Sequence, residues 1–142
     1  MNSRGFSLIE LLVTIAILSI LLAIAAPSMN SWRQAADRKA VAREILSGFR
    51  HARSLAITAN QNVQLVINLD TNEMVYAGQT RTLSDQFEIE ASDDDAAWAV
   101  AGTKTIVFQP GGTCSKRLFV RVDNDDALKI RVDSTANSLA KL

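Results

Sequence analysis

Residues 6–26 form an apolar run of 21 residues that contains a single ionisable side chain, Glu10. As an α-helix, a run of this length extends about 31 Å, which matches the hydrocarbon core of a bilayer. A buried helix of a small soluble domain seldom needs apolar residues on every face for so long. The run therefore predicts a helix that inserts into a membrane, followed by one modest domain in a chain of 142 residues.

Three explanations compete for this run. A cleaved secretory signal is compatible with the basic Arg4 and with the small residues Ala23 and Ala25, but its apolar region normally spans only about 7–15 residues. A plain membrane anchor has no reason to carry Glu10, because a carboxylate costs up to about 2.5–3.5 kcal/mol at the centre of a span. The third explanation gives that carboxylate a purpose.

The segment RGFSLIELL at residues 4–12 resembles the class III signal of type IV pilins and type II secretion pseudopilins. That pattern combines a short basic leader, a glycine, a phenylalanine and a glutamate four residues later at the head of an apolar helix. The resemblance implies that a prepilin peptidase cleaves between Gly5 and Phe6 on the cytoplasmic side and methylates the new amine of Phe6. The apolar helix then remains in the mature chain.

Glu10 has two roles open to it. In a low-dielectric layer of packed helices its carboxylate needs a cation, and the new amine of Phe6 in a neighbouring subunit can supply one. Such a pair sets the axial register between helices. The simpler alternative is an acid near a helix N-terminus, which the helix macrodipole and the membrane headgroups favour.

The distribution of basic residues conflicts with the orientation that the resemblance implies. The leader contains only Arg4 besides the starting amine, whereas the positive-inside rule favours the side with more basic residues as cytoplasmic. We give the peptidase motif precedence and expect the head in the periplasm. The basic residues on the far side of the run are Arg33, Arg38, Lys39 and Arg43.

An amphipathic helix is predicted for residues 27–60. Pro27 lacks an N–H for the carbonyl of Ala23, which predicts a kink or local unwinding, and the resembling family usually has a proline at this place. Trp32 suits either a membrane interface or the core of the head. Apolar residues at three- and four-residue spacing predict the buried face: Val41, Ala42, Ile45, Leu46, Phe49, Ala52, Leu55, Ala56 and Ala59.

Alternating residues predict strands after residue 60, at 63–69, 73–77, 87–90, 105–109, 118–122 and 128–132, with a loose tail or edge strand from residue 134. These elements give an α+β fold in which an antiparallel β-sheet packs on the helix. We therefore expect a leader (1–5), a transmembrane and assembly helix (6–26), an amphipathic helix (27–60) and a β-rich periplasmic head (61–142). The segments ARSLAI (52–57) and VFQPGGT (107–113) make this head resemble the GspH/FimT type of minor pilins and pseudopilins.

Composition excludes several other functions. The 15 basic and 15 acidic residues balance, which disfavours a generic polyanion binder, and one cysteine excludes an internal disulfide. His51 is predicted to be a partly exposed helix residue rather than part of a Ser–His–Asp triad, because no Gly-x-Ser-x-Gly segment exists. Cys114 is predicted to be a small buried residue or an idle thiol, with an intermolecular disulfide as the alternative.

The sequence leaves two further candidate ligands of the head undecided, calcium and DNA. The acidic segments 93–95 and 123–126 are predicted to be solvated turns, although their oxygens also suit calcium. DNA is the second candidate ligand, suggested by the basic helix face (Arg38, Lys39, Arg43, Arg50 and Arg53) and by Arg117, Arg121, Lys129 and Arg131. Against it, Arg117, Arg121 and Lys129 flank acidic residues, and no aromatic platform is interleaved.

We thus expect a structural subunit without catalytic residues, metal or other cofactor. It would be a minor subunit of a type IV pilus, active in assembly initiation or at the tip, in adhesion, motility or DNA uptake. The alternatives are a minor pseudopilin of a type II secretion system and a periplasmic binding domain or enzyme on a plain anchor. The expected partners are other pilin subunits, a prepilin peptidase and the inner membrane, with DNA or secreted cargo as further candidates.

Overall fold

The computed structural model describes residues 6–134, apart from the side chains of residues 24–29. The predicted leader, with Arg4 and Gly5, and most of the predicted C-terminal tail lie outside the described residues. Internal contacts divide the chain into two units, Met1–Ala36 and Asp37–Leu142.

One helix, α1, extends over Leu8–Ala59 and contains 52 residues. It begins after Ser7, whose carbonyl accepts hydrogen bonds from the backbone N–H groups of Glu10 (3.0 Å) and Leu11 (3.2 Å). The helix is continuous through Pro27. The local unwinding that we had expected at this proline is therefore absent, while the kink stays a prediction.

Asn60 ends α1 in a left-handed conformation, with φ of 50°. Its N–H donates to the carbonyl of Ile57, and the N–H of Gln61 donates to the carbonyl of Ala56. These two hydrogen bonds form a Schellman motif, which satisfies carbonyl groups that the last helical turn leaves without a partner. The chain then turns directly into the first strand.

Seven strands follow between residues 60 and 134 and form two antiparallel sheets. The strands are β1 (Val63–Asn68), β2 (Glu73–Tyr76), β3 (Gln79–Thr82), β4 (Ile89–Ser92), β5 (Thr103–Phe108), β6 (Leu118–Val122) and β7 (Asp125–Val132). The first sheet has the order β3-β2-β1-β5 and the second the order β4-β6-β7.

The α+β class, with antiparallel strands packed on the helix, is confirmed, and several details differ. The strands form two sheets rather than one, because β4 pairs with β6 while β5 returns to β1. The strand β3 was not predicted, since its sequence QTRT has no apolar residue. Strand β4 begins at Ile89 rather than Phe87. Strand β7 begins at Asp125 rather than Leu128, so Asp125 and Asp126 belong to a strand and not to the predicted turn. Ala59 is exposed because α1 ends beside it.

The core lies between α1 and both sheets. From α1 it takes Val41, Ala42, Ile45, Leu46, Phe49, Ala52 and Ala56, which confirms most of the predicted buried face. Gly48 belongs to this face as well: a Cβ atom at this position would lie 2.1 Å from the terminal methyl of Met74, which is itself fully buried. The absence of a side chain at residue 48 therefore lets Met74 pack directly against the helix backbone.

Candidate functional site

The N-terminal turn of α1 contains the described part of the predicted processing and assembly site. Phe6 precedes the helix and is 70% exposed, and Glu10 lies in the first turn with an exposed side chain. Ser7 and Glu10 have the Ser-x-x-Glu spacing of a capping box, and the position of Glu10 suits a negative charge near the positive end of the helix dipole. Its pairing with the amine of a second subunit stays a prediction.

The following residues expose an apolar surface. Thr14 and Ser19 donate their hydroxyl groups to the carbonyls of Leu11 and Ile15, both at 2.8 Å, so these two polar side chains bond to their own helix. Large apolar side chains surround the helix and are 49–80% exposed: Phe6, Leu8, Ile9, Leu11, Leu12, Val13, Ile15, Ile17, Leu18, Ile20, Leu21 and Leu22. An apolar surface of this extent must be shielded from water by contact with lipid or with another protein.

Within the part of the chain that the structure describes, no helix combines the length and apolar character that crossing a membrane requires.

Trp32 lies in the first unit and is 81% exposed. Of the two roles that the sequence left open, packing in the core of the head is therefore wrong.

His51 contacts a tyrosine rather than a nucleophile. Its Nδ1 atom lies 3.2 Å from the hydroxyl of Tyr76, and the two rings meet edge to face with centroids 5.5 Å apart. The residue is exposed on α1, as predicted.

Cys114 is a buried thiol. Its Sγ donates to the carbonyl of Asp133 at 2.9 Å and lies 3.3 Å from that of Lys116, and burial raises the pKa of the thiol. A buried, protonated thiol reacts slowly, so the predicted buried residue is confirmed and an intermolecular disulfide needs local opening.

The carboxylates of the first acidic segment, residues 93–95, already have lysines or backbone N–H groups as partners. Lys104 and Lys116 hydrogen-bond to Asp93 and lower the pKa of that carboxyl. Asp94 accepts the backbone N–H groups of residues 97 and 96 and the Ser92 hydroxyl, which lower its pKa to about 2. Lys129 lies 3.0 Å from Asp95. Among the described residues no cluster of metal-ligating side chains occurs, so the calcium alternative finds no support there.

A largely buried ion pair lies on the second sheet. Glu90, 4% exposed, accepts hydrogen bonds from Nε (2.8 Å) and Nη2 (2.6 Å) of Arg121, which is directly opposite it in the register of β4 and β6. The guanidinium of Arg121 lies 4.0 Å from the centroid of the Trp98 ring. Sequence reasoning missed this cluster, because alternation places Glu90 and Arg121 on the face away from the core, where burial is not expected.

The four basic residues proposed for DNA binding after β5 are engaged within the head, and on the basic helix face Arg38 pairs with Asp123. Lys39, Arg43 and Arg50 form no ion pair among the described residues, so DNA binding by the helix face stays a prediction. Arg121 pairs with Glu90, Lys129 with Asp95, and both Arg117 and Arg131 with Asp133. Aromatic rings do accompany two of the arginines, contrary to our expectation, since Arg131 lies over Phe119 as Arg121 does over Trp98. Because those rings face the chain's own cations, they do not form an open platform for bases.

A family model described as the prokaryotic N-terminal methylation motif matches residues 1–26, and the model of the type II transport protein GspH matches residues 41–136. No curated relative matches the chain.

The fold is similar to that of the type IV minor pilin FimU of Pseudomonas aeruginosa. One crystal form gives a TM-score of 0.56 over 78% of this chain and 92% of FimU, with 11% identity. A second crystal form gives 0.51 over 72% and 91%, also with 11% identity.

Proposed function

We propose a function from one premise: this chain belongs to the family of the type II transport protein GspH. It is accordingly a minor pilin or pseudopilin, a structural protein and not an enzyme. The N-terminal methylation motif implies a prepilin of the inner membrane that a prepilin peptidase processes and that assembles with other pilins. The finer proposal is a minor subunit of a type IV pilus, with the head in the periplasm before assembly.

Processing at Gly5 and Phe6 starts the proposed mechanism. Cleavage between these residues leaves Phe6 as the first residue of the mature chain, two residues before Leu8, where α1 begins. The methylated amine then lies at the end of a helix whose first turn contains Glu10. In the assembled fibre, the amine of one subunit pairs with Glu10 of its neighbour and sets their axial register.

The exposed apolar surface of residues 6–22 is the observation that carries this proposal. Its large side chains surround the helix, so one neighbour on one face leaves the others uncovered. Lipid covers every face of a single helix, and a bundle of like helices covers it in a fibre. Helix packing must replace the lipid contacts on extraction, because lipid and leucine are similarly apolar.

Mass spectrometry of the mature protein tests the processing step. We expect the N-terminal peptide to begin at Phe6 and to carry one methyl group. A chain that still begins at Met1 in the assembled fibre contradicts the mechanism, since Phe6 then has no free amine.

Substitution at Glu10 tests the ion pair. Glu10→Gln keeps the shape of the side chain and removes its charge, so we expect the subunit to be processed but excluded from the fibre. Glu88→Gln is the matched control, because Glu88 is an exposed acid of the head without an ion pair among the described residues. Equal incorporation of both variants contradicts the pairing.

A type II secretion pseudopilus is the second candidate, favoured by the description of the matching family model as a type II transport protein. Deletion of this subunit in its own bacterium separates the two. Loss of surface pili with normal secretion supports the pilus. Loss of secretion of folded periplasmic proteins with normal pili supports the pseudopilus.

A further inference from the structure

The first sheet has an outer face that points away from the core and is almost free of charge. Along β1 and β2 the residues alternate, so that Leu65 and Met74 are buried in the core while Val66 and Val75 point outward. The strand register adds only threonines and Val107 from β3 and β5 to this outer face. Glu73 is its only ionisable residue.

Three valines lie on neighbouring strands of this outer face. Val66 of β1 is directly opposite Val75 of β2, and Val107 lies on the adjacent β5. All three are half-buried, and none of them belongs to the core that the sheet forms with α1. Thr80 and Thr105 continue the row of the first two valines to both edges of the sheet. The outer face is therefore a surface of β-branched side chains that is four strands wide.

The outer face of the second sheet differs, because it is charged and its charges are paired within the chain. These ion pairs are Glu90–Arg121, Lys129–Asp95 and Arg131–Asp133. Charged residues are typical of a surface that stays in water, whereas the buried centre of a protein interface is depleted of them. The outer face of the first sheet thus has the composition of an interface.

A hollow of about 520 Å³ adjoins the outer face of the first sheet at the C-terminal end of α1. Leu55 of α1 and the outward-pointing Val66 and Val75 give it apolar walls. The side-chain amides of Gln61 and Gln64 provide hydrogen-bond donors and acceptors beside them. None of the residues that line the hollow, all in the described part of the chain, carries a charge at neutral pH.

The lack of charge decides which class of partner suits this surface. Phosphate groups of DNA or lipid find no cation there, since Arg81 is opposite the buried Met74 and hence on the other side of the sheet. Bases find no open ring, because Tyr76, the one aromatic residue that lines the hollow, is 1% exposed. A protein that buried its own charge here would leave that charge without a partner. A protein surface that is itself apolar and uncharged fits.

We propose that the outer face of the first sheet docks on an apolar, uncharged surface of a different pilin subunit, from which a side chain enters the hollow. A concave apolar site with a few amide groups suits a protruding side chain and the backbone next to it. A different subunit fits, rather than a second copy, because a subunit of low copy number seldom has a like neighbour. The inference rests on the proposed function, since the fibre supplies such a neighbour.

Photo-crosslinking of the full-length chain in its own bacterium tests the contact. A benzophenone amino acid replaces Gln64 or Thr80, which are exposed on the outer face, or Val100, which is 50% exposed and lies outside it. From residues 64 and 80 we expect a cross-link to a chain of different sequence that has its own N-terminal methylation motif. A second copy of this chain, a protein without that motif, or a yield no higher than that from residue 100 overturns the proposal.

Insertion of a charge gives the sharper comparison, with the photoreactive residue at position 80. Val75→Lys and Gln64→Lys should each lower the cross-link yield at least about tenfold, because docking would bury an unpaired ammonium group. Val75→Ile stays β-branched and apolar, and Val100→Lys adds the same charge outside the face, so both should leave the yield within about twofold. Unchanged yields for the two lysine variants, or an equal loss for Val100→Lys, overturn the docking.

Folding of the variants is checked by urea denaturation of the full-length chain in detergent. Because Gln64 is exposed, Gln64→Lys should unfold at the same urea concentration as the unsubstituted chain, and it decides the outcome if Val75→Lys destabilises the sheet. Cleavage before Phe6 and the effect of Glu10→Gln do not depend on this face. Normal processing and incorporation without the cross-link therefore distinguish failure of the docking from failure of the proposed function.

Discussion

The pair of Glu90 and Arg121 should stabilise the head measurably, in contrast to the exposed pairs around it. The side chain of Glu90 is 6% exposed and that of Arg121 14%, so removal of either charge leaves the other in a poorly solvated place. Breaking a buried pair in this way costs about 3–5 kcal/mol. Here Arg121 keeps Asp126 at 3.4 Å and the face of Trp98, and we therefore expect about 2 kcal/mol for Glu90→Gln.

Arg121→Met should destabilise the head more than Glu90→Gln does, because Glu90 has no other cation among the described residues. The double variant should cost less than the sum of the two, since the side chains are in direct contact. Lys116→Met provides the comparison, since Lys116 and Asp93 are 41% and 47% exposed and such pairs contribute about 0–1 kcal/mol.

Urea denaturation of the full-length chain in detergent measures these differences. Trp98 contacts Arg121 and therefore reports on the cluster by fluorescence, provided that Trp32→Phe removes the exposed second tryptophan. A change below about 0.5 kcal/mol for Glu90→Gln, equal to that of Lys116→Met, refutes the reasoning from burial.

Three further predictions concern the head. Gly48→Ala should destabilise it by about 1 kcal/mol in the same denaturation assay, because displacement of Met74 outweighs the gain in helix propensity, and shortening Met74 to Val should relieve the effect. Asp94, whose pKa the N–H of Ala97 and other donors lower to about 2 from 3.8, should stabilise the fold above pH 4 and lose that effect as the pH falls towards 2. Stability measured against pH for Asp94→Asn should therefore converge on wild type in acid. Asn60→Ala should lower stability by about 1 kcal/mol, since alanine fits the left-handed turn poorly, whereas Asn60→Gly should not.

Periodicity made the helix and most strands predictable, because these elements bury one face. Strands β1 and β6 have apolar residues at alternating or continuous positions and occupy the predicted places. Strand β3 lies at a sheet edge with mostly exposed polar side chains, so it carries no such pattern. It pairs with β2 across the two-residue turn of Ala77 and Gly78, both of which have a positive φ, so the glycine of that turn was the signal that could have found it.

The N-terminal motif was identified from its residues alone, since its chemistry is confined to one short segment. The Glu90 cluster was not predicted, because it joins residues far apart in the chain. Glu90 and Arg121 meet only through the register of β4 and β6. The equal numbers of basic and acidic residues did not indicate this ion pair either, because such totals do not show which charges pair with each other.

The strand order of the first sheet has a consequence for folding during synthesis. Strand β1 pairs with β2 on one edge and with the much later β5 on the other, along all six of its residues. Until β5, which ends at Phe108, has been synthesised and can fold, the backbone N–H and C=O groups of that second edge have no partner. They can then pair with a strand of another chain. A nascent chain stalled before this point should therefore be a target for chaperones, and early truncations should aggregate rather than yield a smaller stable head.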